Sequence, residues 1–180
     1  DKSARIQRFS PEGEFQLEWA MPEMQAGKPV GLFAHADGRL FVADTHYHRV
    51  IVFDFDGREL ARFGAPGTGD GQFNQTSGIA IDPTSHNIIV TDVQNNRVQA
   101  FDSTGVYLGQ FGTGGPGNGQ FNSPYGLAID PTSHNIVVAD TLSNRVQIFN
   151  SAGVYLSQFG TAGAGIGQFS TLPAVAIDPT

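Results

Sequence analysis

GLAIDPTSHNIVVADTLSNRVQIFNSAGVYLSQFG, residues 126–160, repeats GIAIDPTSHNIIVTDVQNNRVQAFDSTGVYLGQFG, residues 78–112, at a step of 48. A step of that size marks stacked supersecondary units, none of which buries its apolar faces alone. The same step links Asp44, Asp92 and Asp140, then Arg49, Arg97 and Arg145, then Phe63, Phe111 and Phe159. Phe73, Phe121 and Phe169 keep it, as do Asp82, Asp130 and Asp178. The first copy is shorter and more diverged: Arg5 precedes Arg49 by 44, with Phe9, Gly13 and Trp19 matching Phe53, Gly57 and Phe63. The closeness of the later copies implies recent duplication or design.

Each unit holds four short apolar runs, in the last copy Gly126–Asp130, Ile136–Asp140, Arg145–Phe149 and Val154–Phe159. The breakers between them supply Pro, Gly, Asn and Ser, which satisfy turn backbone locally, so the runs are strands joined by turns. Four strands in 40 to 50 residues make one propeller blade, which obtains its core by packing against neighbouring blades. The expected fold is therefore an all-β propeller with three whole blades and partial ones. A diverged partial repeat spans 1–43, repeats span 44–91 and 92–139, and a truncated repeat spans 140–180. The expected count is fifteen strands, closing on a first strand at Ala174–Asp178. We expect part of a larger propeller; a self-closing four-blade ring or an assembly of open arcs would also accommodate the count, and an open arc favours self-association.

The run Pro124-Tyr-Gly-Leu-Ala-Ile-Asp130, then Ile136-Val-Val-Ala-Asp140, then Asn144-Arg-Val-Gln-Ile-Phe149 and Phe159-Gly160 resembles the NHL repeat. The resemblance extends over essentially the whole chain, and the Ala-Asp to Asn-Arg-Val-Gln segment is its most specific part. It implies six-bladed propellers as the usual architecture.

Composition narrows the function classes. Lys and Arg number 10 against 17 Asp and Glu, a net charge of −7, and only Arg97 and Arg145 lie beyond Arg62. Nucleic-acid affinity comes largely from cations that release phosphate counterions, so nucleic acid is a disfavoured partner. With 39% apolar residues there is enough to fill a core, and with no cysteine there is no disulfide, zinc thiolate or thiol nucleophile. No apolar run approaches the length of a membrane-spanning helix. The opening Asp1-Lys2-Ser3-Ala4-Arg5, without Met or an apolar signal segment, fits a processed or excerpted chain. Low charge and abundant Gly, Ser, Thr and Asn favour an extracytoplasmic bacterial location.

Blade connectivity puts the Gly-rich segments 64–78, 112–126 and 160–174 on one face, beside the loops 45–48, 93–96 and 141–144. His46, Tyr47, His48, Asn95, Asn96, Ser143, Asn144 and Tyr125 are the candidates for contact with a ligand there. His46 and His48 replace Gln94/Asn96 and Leu142/Asn144 of the other copies. With His35, read as facing the central channel, they form a candidate set for a divalent metal, because imidazole suits zinc, copper or iron. The bland alternative is a polar loop with exposed histidines. His86 and His134, in the repeated Asp-Pro-Thr-Ser-His-Asn segment, read as turn residues. Asp44/Arg49, Asp92/Arg97 and Asp140/Arg145 read as structural pairs, since the guanidinium fork matches a carboxylate and catalysis seldom needs identical copies.

Three short matches carry little. Gly112-Thr-Gly114-Gly-Pro-Gly117 fits the dinucleotide fingerprint by letter, but no helix follows it. Asp54-Phe-Asp56-Gly57 begins like a calcium loop and is accounted for by a hairpin turn. Asn74-Gln75-Thr76 is a formal glycosylation sequon.

These readings favour a non-enzymatic binding or scaffolding module that presents loops to a protein, peptide or glycan, with no cofactor. The resemblance also implies an alternative, a metal-dependent lyase or hydrolase similar to the NHL-type amidating lyases of peptidyl-hydroxyglycine. It implies RNA binding too, as in NHL domains of tripartite-motif proteins, a reading weakened by the acidic charge.

Overall fold

The computed structural model describes residues 4–23 and 28–178. Alternating and continuous apolar runs become fourteen strands of five or six residues, most of them ending where Gly, Asx or Ser takes over the backbone. Strands β1 (Arg5–Phe9) and β2 (Phe15–Ala20) form a two-stranded antiparallel sheet. Three four-stranded antiparallel sheets follow in simple sequential order. The first holds β3 (Pro29–Ala34), β4 (Arg39–Asp44), β5 (Arg49–Asp54) and β6 (Glu59–Phe63). The second holds β7 (Thr76–Ile81), β8 (Ile88–Asp92), β9 (Arg97–Phe101) and β10 (Tyr107–Phe111). The third holds β11 (Pro124–Ile129), β12 (Ile136–Asp140), β13 (Arg145–Phe149) and β14 (Tyr155–Phe159).

Burial follows strand rank. Every residue of β8 is buried, as a strand covered on both faces must be, whereas β10 alternates between half-buried and exposed at the outer edge. The cores lie between sheets. Phe41, Val50 and Val52 of the first sheet pack with Ile79, Val90 and Phe101 of the second. Ala80, Ile89 and Val98 of the second pack with Leu127, Val138 and Phe149 of the third. Outer-strand phenylalanines reach across: Phe63 sits 4.8 Å from Phe101 and Phe111 4.7 Å from Phe149, centroid to centroid. Burying one such ring contributes on the order of 1.5–3 kcal/mol. Phe159, the third of the series, stays 53% exposed, with no further four-stranded sheet beside it among the described residues.

The inner strands approach closely because they carry glycine. A Cβ on Gly78 would lie 2.4 Å from the carbonyl oxygen of Tyr125 in the next sheet. Between sheets, the Gly-rich segments fold into two-residue parallel bridges, Ala65–Pro66 with Gln72–Phe73, and Thr113–Gly114 with Gln120–Phe121.

The expected strand at Ala174–Asp178 is not one. The segment runs beside β11, with Ala174 Cα 2.6 Å from where a Gly126 Cβ would stand, but no second strand among the described residues offers it a ladder. The strand opening the third sheet also starts earlier than expected, at Pro124.

Candidate binding face

Each turn between second and third strands is a tight loop ending in a left-handed residue: His48 (φ 53°), Asn96 (φ 51°) and Asn144 (φ 52°). Asn and His tolerate that region better than most side chains. Its geometry aims each side chain at the segment entering the next sheet. Nδ1 of His48 accepts the backbone N–H of Gln75 at 2.8 Å, and Oδ1 of Asn96 accepts that of Ser123 at 2.9 Å. The Asn144 amide, oriented with its NH₂ inward, donates to the carbonyls of Phe169 and Ser170. His48 thus does the clipping work of an asparagine.

Beneath these turns lies a repeated ionic knot. Arg97 Nε donates to Asp92 at 2.8 Å, Nη1 to Gln110, and Nη2 to the carbonyls of Gly69 and Gln72. Gln99 adds bonds to Gln72 and Asp92 and receives the N–H of Gly71. Arg145, Asp140 and Gln147 repeat the arrangement around Pro116, Gly117 and Gln120. Both carboxylates are fully buried and fully bonded, their second oxygens taking the N–H of Asn74 (2.7 Å) and Asn122 (2.6 Å). These groups hold the Gly-rich loops in place, and both oxygens of each carboxylate are taken up in doing so.

The first sheet departs from the pattern. Ile51 stands where Gln99 and Gln147 stand, and Arg49 bonds Asp44 at 2.9 Å and also the Glu23 carboxylate. Tyr47 donates its hydroxyl to the Glu23 carbonyl and lies 4.7 Å under the Arg49 guanidinium. Asn95 occupies the equivalent place, tied to Gly67 and Asp92. Oδ1 of Asp44 has no partner among the described residues, and burial pushes this carboxyl above its ordinary value against the pull of Arg49. Hydrogen bonding to Arg49 holds Glu23 below its ordinary value despite a smaller opposing contribution from burial.

His35 does not join His46 and His48. It sits on the β3–β4 hairpin at the far end of β4, a strand about 20 Å long. There Nδ1 lies 2.8 Å from Asp37, and the ring packs edge-on against His86 with centroids 5.6 Å apart. Among the described residues no group of three or more His, Cys, Asp or Glu is arranged to hold a metal.

What remains open to a ligand is the position of His46, a candidate from sequence, together with its equivalents Gln94 and Leu142, which were not. His46, Gln94 and Leu142 are equivalent, one per sheet and all exposed, and among the described residues their side chains make one hydrogen bond, an amide bond of Gln94. That bond joins Gln94 to Gln75 (3.0 Å), and Gln75 in turn donates to the Tyr125 hydroxyl (3.1 Å). Ser143 lines a small hollow beside Asn96 and Pro116. The signal was legible as three different residues at one repeat position, as also at the adjacent Tyr47, Asn95 and Ser143.

Comparison with known proteins agrees with this architecture. Residues 27–111 match a family described as a 6-bladed beta-propeller, and residues 121–149 match the NHL repeat. The protein brain tumor of Drosophila melanogaster is 35% identical over 72 residues, covering 40% of this chain and 7% of that protein. The RING finger protein nhl-1 of Caenorhabditis elegans is 40% identical over 52 residues, covering 29% of this chain and 5% of that one. The chain therefore spans a small fraction of these curated relatives. A streptogramin B lyase structure superposes with a TM-score of 0.68 over 87% of this chain and 48% of its own, at 13% identity, which speaks to the fold alone. No helix is long and apolar enough to cross a membrane among the described residues.

Proposed function

Because this chain is a run of NHL-type β-propeller blades, we propose that it is a non-enzymatic binding module whose loop face receives a protein or peptide partner. The observation that carries the reading is the exposed series His46, Gln94 and Leu142 on an otherwise repeated framework. Repetition builds a rigid platform, and variation at one exposed position per blade is how such a platform acquires a specific surface. Tyr125 and Leu142, the latter 63% exposed, supply aromatic and apolar contact, and Gln75 and Gln94 supply paired amides that suit a peptide backbone. The Asp, Arg and Asn residues that look most chemical are occupied in holding loops.

Affinity capture from the source organism tests this, comparing the native protein with a His46→Ala/Gln94→Ala/Leu142→Ala variant of unchanged thermal stability. A specific partner retained by the first and lost by the second supports the reading. Capture equal in both overturns it. Stoichiometric divalent metal in the protein as isolated, together with turnover abolished by His46→Ala, would favour an amidating-lyase-like enzyme.

A further inference from the structure

On the face opposite those loops, a cavity of about 330 Å³ opens between the second and third four-stranded sheets. One difference between the blade junctions bears directly on it. Leu40 pairs with Phe53 as Ile88 pairs with Phe101, so Arg39 and Asn87 are equivalent, as are Ser103 and Ser151. At the first junction Arg39 lies over the Phe41 ring and spans to the neighbouring sheet, donating Nη1 to the carbonyl of Ser103 at 3.1 Å. At the second junction the short Asn87 leaves that space open, with Ser151 on its far wall.

The walls have a definite chemistry. Asp82 Oδ2 lies 2.9 Å from Nδ1 of His134, across the junction, and Asp82 Oδ1 accepts the N–H groups of Thr84 and Ser85. Burial opposes the charge on Asp82, but those bonds prevail and hold its carboxyl below the ordinary value, so it is ionised at neutral pH. Nδ1 of His134 is then the donor of that bond, and Nε2 has no side-chain partner among the described residues. Hydroxyl and amide groups of Ser133, Ser151 and Asn87 share the space with an aliphatic floor of Ile89 and Ile136. No Lys or Arg among the described residues lines the cavity, so an anionic ligand would meet a carboxylate without compensation. No serine hydroxyl among the described residues is bonded to the His134 ring, so the pair lacks a nucleophile. The cavity continues towards the outer strand β10 as a hollow of about 250 Å³ that shares Asn87, Ile89, Ile136 and Ser151. Its size sits at the lower end of small-molecule sites.

We propose that this inter-blade cavity binds a neutral sugar, its hydroxyls hydrogen-bonding to His134 Nε2, Ser151 and Asn87 while its C–H face lies on Ile89 and Ile136. The chemistry matches on both counts, because a pyranose carries hydroxyl edges and an apolar face. The continuation of the cavity gives room for a second ring.

Isothermal titration with a panel of neutral sugars (glucose, galactose, N-acetylglucosamine, maltose, cellobiose and chitobiose), and glucuronic acid as the anionic control, tests the assignment. At least one neutral sugar should bind with one site per chain, and glucuronic acid should not. Asn87→Arg installs the side chain that closes the first junction, so it should abolish binding with unchanged thermal stability. His134→Asn, which suits the left-handed backbone at φ 58°, should weaken binding about tenfold, the loss of one good hydrogen bond. Absence of binding by every neutral sugar overturns the proposal, as does equal affinity for glucuronic acid or undiminished affinity in Asn87→Arg. Substitutions at His46, Gln94 and Leu142 should leave sugar binding intact, which separates this site from the loop face.

Discussion

Nδ1 of His48 accepts the backbone N–H of Gln75 at 2.8 Å, joining the first four-stranded sheet to the second. The contact needs a left-handed residue with a side-chain acceptor two bonds or more from Cα, and asparagine meets both conditions at Asn96. His48→Asn should therefore preserve stability, whereas His48→Ala, which loses the acceptor and strains the turn, should cost about 1–2 kcal/mol. Urea denaturation of the two variants checks this. A large loss in His48→Asn would mean that the imidazole does something besides clip the sheets.

Arg145 offers a sharper case, since its guanidinium is bonded to Asp140, Gln158 and three loop carbonyls while only 7% exposed. Removing it leaves the fully buried Asp140 carboxylate without its cation. Arg145→Met should cost about 3–5 kcal/mol, the range for breaking a buried pair from one side. Arg145→Lys should fall between, because an ammonium cannot reproduce the fork. Melting temperatures of the three proteins give the order, and equal melting of Met and wild type would show that the loops are held by something else.

Much of this was legible beforehand, for identifiable reasons. Strands such as Ile136–Asp140 and Arg145–Phe149 follow from apolar runs and turn residues, and these are local signals. The clipping role of His48 was not legible, because its partner Gln75 lies 27 residues away, at the entry to the next sheet. His35 was grouped with His46 and His48 for a similar reason: the end of β4 on which its hairpin stands, not the sequence, decides its neighbours. The cavity beside Asp82 and His134 was hidden because the decisive contrast, Arg39 against Asn87, requires knowing which strand residues pair.

Close approach of the inner strands gives a prediction from packing alone. The Gly78 backbone is in an ordinary region, so Gly78→Ala introduces no strain of its own, yet its Cβ would stand 2.4 Å from Tyr125 O and 2.8 Å from Leu127 N. Both are backbone atoms of the next sheet and cannot rotate away. The variant should lose about 1–3 kcal/mol, the usual cost of overpacking. Gly109→Ala, where no atom lies within 4 Å of the added carbon, serves as the control and should be close to neutral.

Acid should unfold the protein through its turn carboxylates. At Asp102 the Thr104 hydroxyl and the N–H groups of Val106 and Thr104 lower the carboxyl below its ordinary value of 3.8. At Asp130 the N–H groups of Ser133 and Thr132 do the same. A carboxyl depressed in the folded state binds protons more readily when unfolded. Its contribution is therefore present above pH 3.8 and lost as pH falls from there through the lowered folded value. Asp44 has the opposite sign: burial raises it, so it opposes folding at neutral pH, an effect relieved as acid protonates it. Urea midpoints measured from pH 7 to pH 2 should fall steeply at the acid end in wild type and less steeply in an Asp102→Asn/Asp130→Asn variant. Asn keeps an oxygen to cap the turn but cannot titrate, so an unchanged acid limb in that variant would remove these two carboxylates as the cause.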